Sequence, residues 1–378
     1  MPSTKVTNPY EFYISRNTSV SAEISIIMLN VTINQLAHEL ITVTAGGKNY
    51  TSSFTIPYGT TYTAAIKADE GYTAGTVTPT SGTFTTDSTF TATAATINSY
   101  TVTITPGAHQ TITVKNTTTG KSYTSTFTAN YGDKLTATIT ADPGYTASTL
   151  NQTSATVGTS GATFSATAAT VNSYSVVITQ TANQTIKVND GNRDHTATFS
   201  IPYGTELTCS ITPATGYTAS RLSVTGATLD SSNKFRMPAK NVTVTATANA
   251  TINSYTVTIN QTTGQTITVN DGTTNHTSSF SAPYGTKLTA TLTPAEGYTA
   301  GKLNQTAATV GTSGATFSAT AATIQTRTIT VEQPANGRIE VNGQVGTSFT
   351  FNYGTKVKIE LKANTGYTPS ALYIATED

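Results

Sequence analysis

Charge is what this 378-residue chain has least of: Asp, Glu, Lys and Arg together make up 10% of it, against about 25% in an ordinary soluble domain. With 20 basic and 19 acidic residues the net charge is +1, so there is no electrostatic footprint for a phosphate backbone or an anionic lipid surface. The reading is therefore no nucleic acid and no membrane insertion. No run comes near eighteen apolar residues, and the N-terminal patch Ile24 to Leu29 is too short for a signal h-region or a membrane span. Tryptophan is absent, and a single cysteine, Cys209, excludes internal disulfides and multi-thiolate metal sites.

What is present in excess is threonine, 89 residues, nearly one in four. Thr is β-branched, stiff at χ1 and suited to a pleated, half-exposed surface, so helix bundles and coiled coils are excluded and an all-β chain is expected.

The chain is organised by a Tyr-Gly pair followed, twelve residues from glycine to glycine, by Gly-Tyr-Thr. The copies are Tyr58-Gly59 with Gly71-Tyr72, Tyr131-Gly132 with Gly144-Tyr145, Tyr203-Gly204 with Gly216-Tyr217, Tyr284-Gly285 with Gly297-Tyr298, and Tyr353-Gly354 with Gly366-Tyr367. A phenylalanine precedes each first tyrosine by four residues, at Phe54, Phe127, Phe199, Phe280 and Phe349. Successive copies lie 73, 72, 81 and 69 residues apart. These spacings predict a rod of about five tandem small β-sandwich or β-grasp-like domains, Ig-like in size. The boundaries are an N-terminal segment 1–28, then repeats at 29–98, 99–172, 173–253, 254–325 and a shortened fifth at 326–378. Between repeats no Gly, Pro or charge cluster offers a hinge.

Within a repeat, Leu135, Ala137 and Ile139 alternate with Thr136, Thr138 and Thr140, one buried face and one wet face. Asp190-Gly191 and Asp271-Gly272 predict type I′ hairpins. The even recurrence of the tyrosines predicts rings in the core with their hydroxyls tied to backbone, while a stacking face for glycans is the competing use. Leu150 to Thr170 and Leu303 to Thr323 differ only at Ser154 against Ala307, which points to recent duplication and interchangeable spacers.

Repeat 3 carries Phe235-Arg-Met-Pro-Ala-Lys-Asn-Val-Thr-Val-Thr-Ala246 downstream of its Tyr-Gly and Gly-Tyr-Thr pairs. In that segment the chain resembles the divergent internalin-type B-repeat family, the Listeria–Bacteroides repeats. The resemblance implies small β modules arrayed in surface stalks and adhesins, and also in phage structural proteins.

No motif for catalysis, metal or cofactor stands out, so no enzyme activity and no cofactor are expected. His195 and His276 share one repeat position and read as strand-face substitutions; His38 and His109 fall in turn-like stretches, and Cys209 stands where other repeats have an inward alanine. The two Asp-Gly pairs lack the further carboxylates a calcium site needs.

The segments Glu11 to Arg16 and Ile24 to Met28 read as one or two extra strands, serving either as a cap on repeat 1 or as an attachment segment. Repeat 5 lacks the Ala/Thr closing strand after Gly366-Tyr367. Either a partner or another copy supplies it by β-augmentation, or Lys356, Lys358, Glu360 and Lys362 protect a naturally short end. The expected placement is a phage virion, as a decoration or fibre protein assembled in the host cytoplasm, with the bacterial cell surface and a glycan-binding role as the alternative. The expected partners are other proteins of that assembly, reached through residues 1–28 or repeat 5, and further copies of the chain.

Overall fold

The computed structural model describes residues 6–7, 11–16 and 18–376. Two compact units, Met1–Val171 and Asn172–Asp378, divide it. The first holds repeats 1 and 2, the second repeats 3, 4 and 5, and among the described residues every regular element is a strand.

Repeats 1 to 4 each close a core between two small sheets. In repeat 1 one sheet has the order Phe54–Pro57, Met28–Ile33, Ser88–Ala92, Val77–Thr78, and the other Lys48–Tyr50, Glu39–Ala45, Thr61–Ala68, Ser81–Thr83. The first strand pairs parallel with the last long one, in the register Val31↔Ser88 and Ile33↔Phe90, while its other neighbour is antiparallel. The same arrangement places Val102↔Ala162 and Ile104↔Phe164 in repeat 2, Val176↔Val242 and Ile178↔Val244 in repeat 3, and Val257↔Ala315 and Ile259↔Phe317 in repeat 4. Alternation explains these elements: in Glu39–Ala45 the inward Ile41 and Val43 are fully buried while Leu40 faces water. Each repeat thus has its own apolar cluster, centred on Phe84 and Phe90, on Phe164, on Met237 and Val244, and on Phe317.

Two expectations are corrected. Described residues 11–16 and 18–27 form no strand, and Ile24 is 95% and Ile26 65% exposed. The only strand residue of the predicted pair is Met28, which already belongs to the first strand of repeat 1. The Asp-Gly pairs do not form two-residue type I′ turns: Asn189↔Asp194 and Asn270↔Asn275 close four-residue loops. The reason is the aspartate side chain, whose Oδ1 accepts the backbone N–H groups of Asn192 and Arg193, or of Thr273 and Thr274. Only the glycine then takes positive φ.

Repeat 5 is built differently. Thr326–Thr330 pairs with Ser348–Asn352, and Gly337–Val341 with Gln344–Val345 and Ile359–Ala363, but among the described residues neither sheet has the further strand seen in repeats 1 to 4. A cleft of about 1240 Å³ opens between Ile329, Val331, Ile339, Ile359 and Leu361, and the coil after Tyr367 lines it without joining either sheet.

Candidate functional site

The recurrent residues meet at the joints between repeats. Where repeat 1 runs into repeat 2, Tyr72–Thr73 pairs antiparallel with Thr96–Ile97, Asn98 N–H donates to Gly71 C=O at 2.9 Å, and Tyr131 N–H donates to Asn98 C=O at 2.9 Å. The Tyr131 ring lies directly on Gly71, so closely that a Cβ there would run into the ring, and Gly71 also needs its φ of +82°. Tyr72 and Tyr100 meet the same ring edge to face at 6.4 and 6.3 Å.

The second unit repeats the arrangement twice. Tyr284 covers Gly216 while Tyr217–Thr218 pairs with Thr251–Ile252, and Tyr353 covers Gly297 while Tyr298–Thr299 pairs with Thr323–Ile324. Thr73 and Thr218 hydroxyls donate to the side chains of Asn98 and Asn253 at 2.7 Å. At the last joint Gln325 stands in place of asparagine and makes the same backbone bonds, and the Tyr353 hydroxyl donates to Glu296 at 2.5 Å, which raises the tyrosine's pKa.

The tyrosines were expected in the core with hydroxyls on backbone, and this is corrected: Tyr131, Tyr284 and Tyr353 are half-buried at joints, where each fills the space a glycine of the neighbouring repeat leaves. In repeats 1 and 2 the other tyrosine of the pair is stacked by a turn residue of its own repeat, His38 on Tyr72 at 4.0 Å and His109 on Tyr145 at 4.1 Å. In repeat 4 the equivalent turn residue is Gly264, against Tyr298. Among the recurrent glycines, Gly59, Gly132, Gly204, Gly285 and Gly354 have positive φ and open space, so their role is the turn alone.

The phenylalanines of the motif are also only partly buried. Each is stacked by the residue four before it: Tyr50 on Phe54 at 3.7 Å, Tyr123 on Phe127 at 3.8 Å, His195 on Phe199 at 3.7 Å and His276 on Phe280 at 3.6 Å. Phe349 instead has Phe351 beside it and Gly346 against its ring. The two histidines carry a second contact that spacing alone did not show. His195 Nε2 lies 2.8 Å from Asp190 Oδ2, with both side chains about nine-tenths buried, and His276 Nε2 lies 2.9 Å from Asp271 Oδ2. The histidine bond first, then backbone N–H donors and, for Asp271, the Thr273 hydroxyl ahead of them, hold both carboxyls well below the usual range.

Repeats 2, 3 and 4 each also contain a buried amide clasp. Gln184 and Gln265, and likewise Gln110, accept a backbone N–H through Oε1, from Ser220, Gly301 and Ser148, and donate through Nε2 to the carbonyls of Ala248, Thr320 and Thr167. Repeat 1 has Glu39 here: one oxygen accepts from Gly75 N–H at 3.0 Å, and buried Oε1 has no partner. Cys209 is buried and its thiol is pushed up to about 11 by desolvation, which makes it a poor nucleophile. Among the described residues no three His, Cys, Asp or Glu side chains come together as a metal site. Among the described residues no helix is long and apolar enough to cross a membrane.

Residues 200–250 match the family model of the Divergent InlB B-repeat domain. That span runs through repeat 3, from Tyr203-Gly204 to the Met-Pro-Ala segment. Among solved structures, the Bacillus anthracis TIE protein is similar at 12% identity, covering 76% of this chain and 67% of its own, with a TM-score of 0.32. Two B repeat units of the collagen binding protein of Staphylococcus aureus are similar at 12% identity, covering 80% of this chain and all of theirs, with a TM-score of 0.14. No curated protein matches. The B-repeat match thus lies within an all-β tandem array in which Tyr131, Tyr284 and Tyr353 meet Gly71, Gly216 and Gly297 at joints between repeats.

Proposed function

We propose that this chain is a non-enzymatic structural protein of a surface assembly, a phage virion decoration or fibre protein whose repeats serve as spacers. The observation that carries the reading is the use made of the recurrent residues: Tyr131, Tyr284 and Tyr353 are spent on joining one repeat to the next. A nearly neutral, Thr-rich outer face supports it too, because it wets the surface with little long-range repulsion between neighbours. The match to the B-repeat family favours a second placement, a stalk or adhesin on a bacterial cell surface that holds glycans.

One pair of measurements separates them. Immunogold labelling with antiserum to the purified chain is expected on virions and not on the cell wall, and the reverse pattern would move the protein to the cell surface. A broad glycan array is expected to show no binding; a reproducible glycan hit would overturn the spacer reading in favour of adhesion.

A further inference from the structure

The joint between repeats has two halves, and among the described residues an incoming half in repeat 1 and an outgoing half in repeat 5 lie uncovered. At the start of repeat 1 the incoming half is complete but uncovered: Tyr58 N–H donates to Ile27 C=O at 2.8 Å, as Tyr131 does to Asn98, yet the Tyr58 ring is 51% exposed. Counting back from the first strand, Ser25-Ile26-Ile27 occupies the place of Thr96-Ile97-Asn98. Ile26 is 65% exposed where Ile97 is 37%. In repeat 5 the outgoing half is uncovered: a Cβ on Gly366 would meet nothing, φ there is +88°, and Tyr367 is 57% exposed and in no strand.

We propose that copies of this chain associate end to end by rebuilding this joint, with Tyr58 of one copy seated on Gly366 of the next and Ser25-Ile26 paired with Tyr367-Thr368. The occupant of both open halves is thus a second copy, and the argument is continuity: the contact is the one already made at Gly71, Gly216 and Gly297. Its backbone bond would run from Ile27 N–H to Gly366 C=O, matching Asn98 to Gly71, Asn253 to Gly216 and Gln325 to Gly297. Because Ile27 replaces asparagine, the threonine hydroxyl loses its side-chain acceptor. Gln325 shows that the backbone part of the joint does not need that asparagine. The contact is heterologous, so it propagates rather than closing into a dimer. It is also small, which puts it among transient interfaces unless copies are held side by side.

The test uses the full chain. Ile97 and Tyr72 are direct partners across the internal joint, and such partners lie about 4.5–5.5 Å apart, within disulfide reach. Ile26→Cys and Tyr367→Cys chains, mixed and gently oxidised, are expected to cross-link to each other and not to themselves. A chain with both substitutions is expected to give a ladder, and Val20→Cys mixed with Tyr367→Cys is the off-register control. By sedimentation velocity the unmodified chain is expected to gain mass with concentration, and Tyr58→Ala or Ile26→Asp, both at exposed positions, to weaken that association at least tenfold with the circular dichroism unchanged. A monomer up to the solubility limit without preferential cross-linking overturns the proposal. So does equal yield from the off-register pair, or association that survives Tyr58→Ala. None of these outcomes bears on virion or cell-surface placement.

Discussion

Among the described residues, Glu39 holds the one buried side-chain polar atom that has no hydrogen-bond partner. Its Oε1 is buried without a partner where Gln110, Gln184 and Gln265 place an amide that donates to a carbonyl; the corresponding carbonyl in repeat 1 is that of Thr93. Glu39→Gln restores the donor at almost no change in volume, so it is expected to stabilise repeat 1 by about 1 kcal/mol, the net worth of one buried hydrogen bond. Thermal unfolding followed by calorimetry checks the sign, and a lower midpoint would mean that the carboxylate already has a better arrangement. The His–Asp loops give a pH prediction. Asp190 and Asp271 have carboxyl pKa values lowered in the folded state, first by the histidine bond. Their contribution is therefore fully present above the unfolded value near 3.8 and is lost as pH falls below it toward the folded value. Asp190→Asn is expected to flatten that acid limb, with little change in the shape of the curve above it. An acid titration of the two proteins by circular dichroism reads the difference.

Among the elements, the joint separates two jobs that glycine performs. Gly216 and Gly285 have nearly the same φ, +82° and +83°, but only Gly216 lies against a ring, that of Tyr284. Gly285→Ala should therefore cost the conformational penalty alone, about 1–2 kcal/mol, whereas Gly216→Ala must also displace the tyrosine and is expected to cost clearly more. Chemical denaturation of both variants gives the comparison, and equal losses would show that the ring contact contributes nothing. This division also marks how far the sequence could be read. Inward alternation, the all-β class and the repeat period were legible because β spacing writes itself into neighbouring residues, as in Leu135 to Thr140. The destination of the tyrosines was not, because Gly71 and Tyr131 belong to different repeats and their partnership crosses the period on which the motif was found. The Asp-Gly loops were misjudged for a local reason. A side-chain oxygen capping two N–H groups competes with the two-residue turn, and the dipeptide alone does not say which wins. The apolar Ile24 to Met28 patch suggested a strand, but only its end finds an edge: Met28 joins the first strand of repeat 1 and Ile27 C=O accepts from Tyr58 N–H, while Ile24 and Ile26 stay exposed.

At the scale of the whole molecule, stability should be unevenly distributed. Repeats 2 and 4 each bury nine apolar residues in one cluster, and repeats 1 and 3 slightly more. In repeat 5 the buried apolar residues are Val331 and Val341, and the facing sheets enclose an open cleft in place of a phenylalanine such as Phe317. Burial of apolar area is the main term that offsets chain entropy, so a repeat short of two strands has the smallest local free energy of opening. Repeat 4 nevertheless supplies one side of the joint at Gly297, where Tyr353 is held by Gly297 and Glu296. Repeat 5 is thus expected to open first but not independently: in hydrogen exchange, amides of Ile359–Ala363 and Gly337–Val341 should exchange well ahead of those of Lys287–Pro294 and Gln265–Asn270. Tyr353→Ala should accelerate exchange in repeat 5 and leave Lys287–Pro294 nearly unchanged. Uniform protection across these strands would mean that repeat 5 is completed in solution, and protection that rises with protein concentration would identify another copy as what completes it.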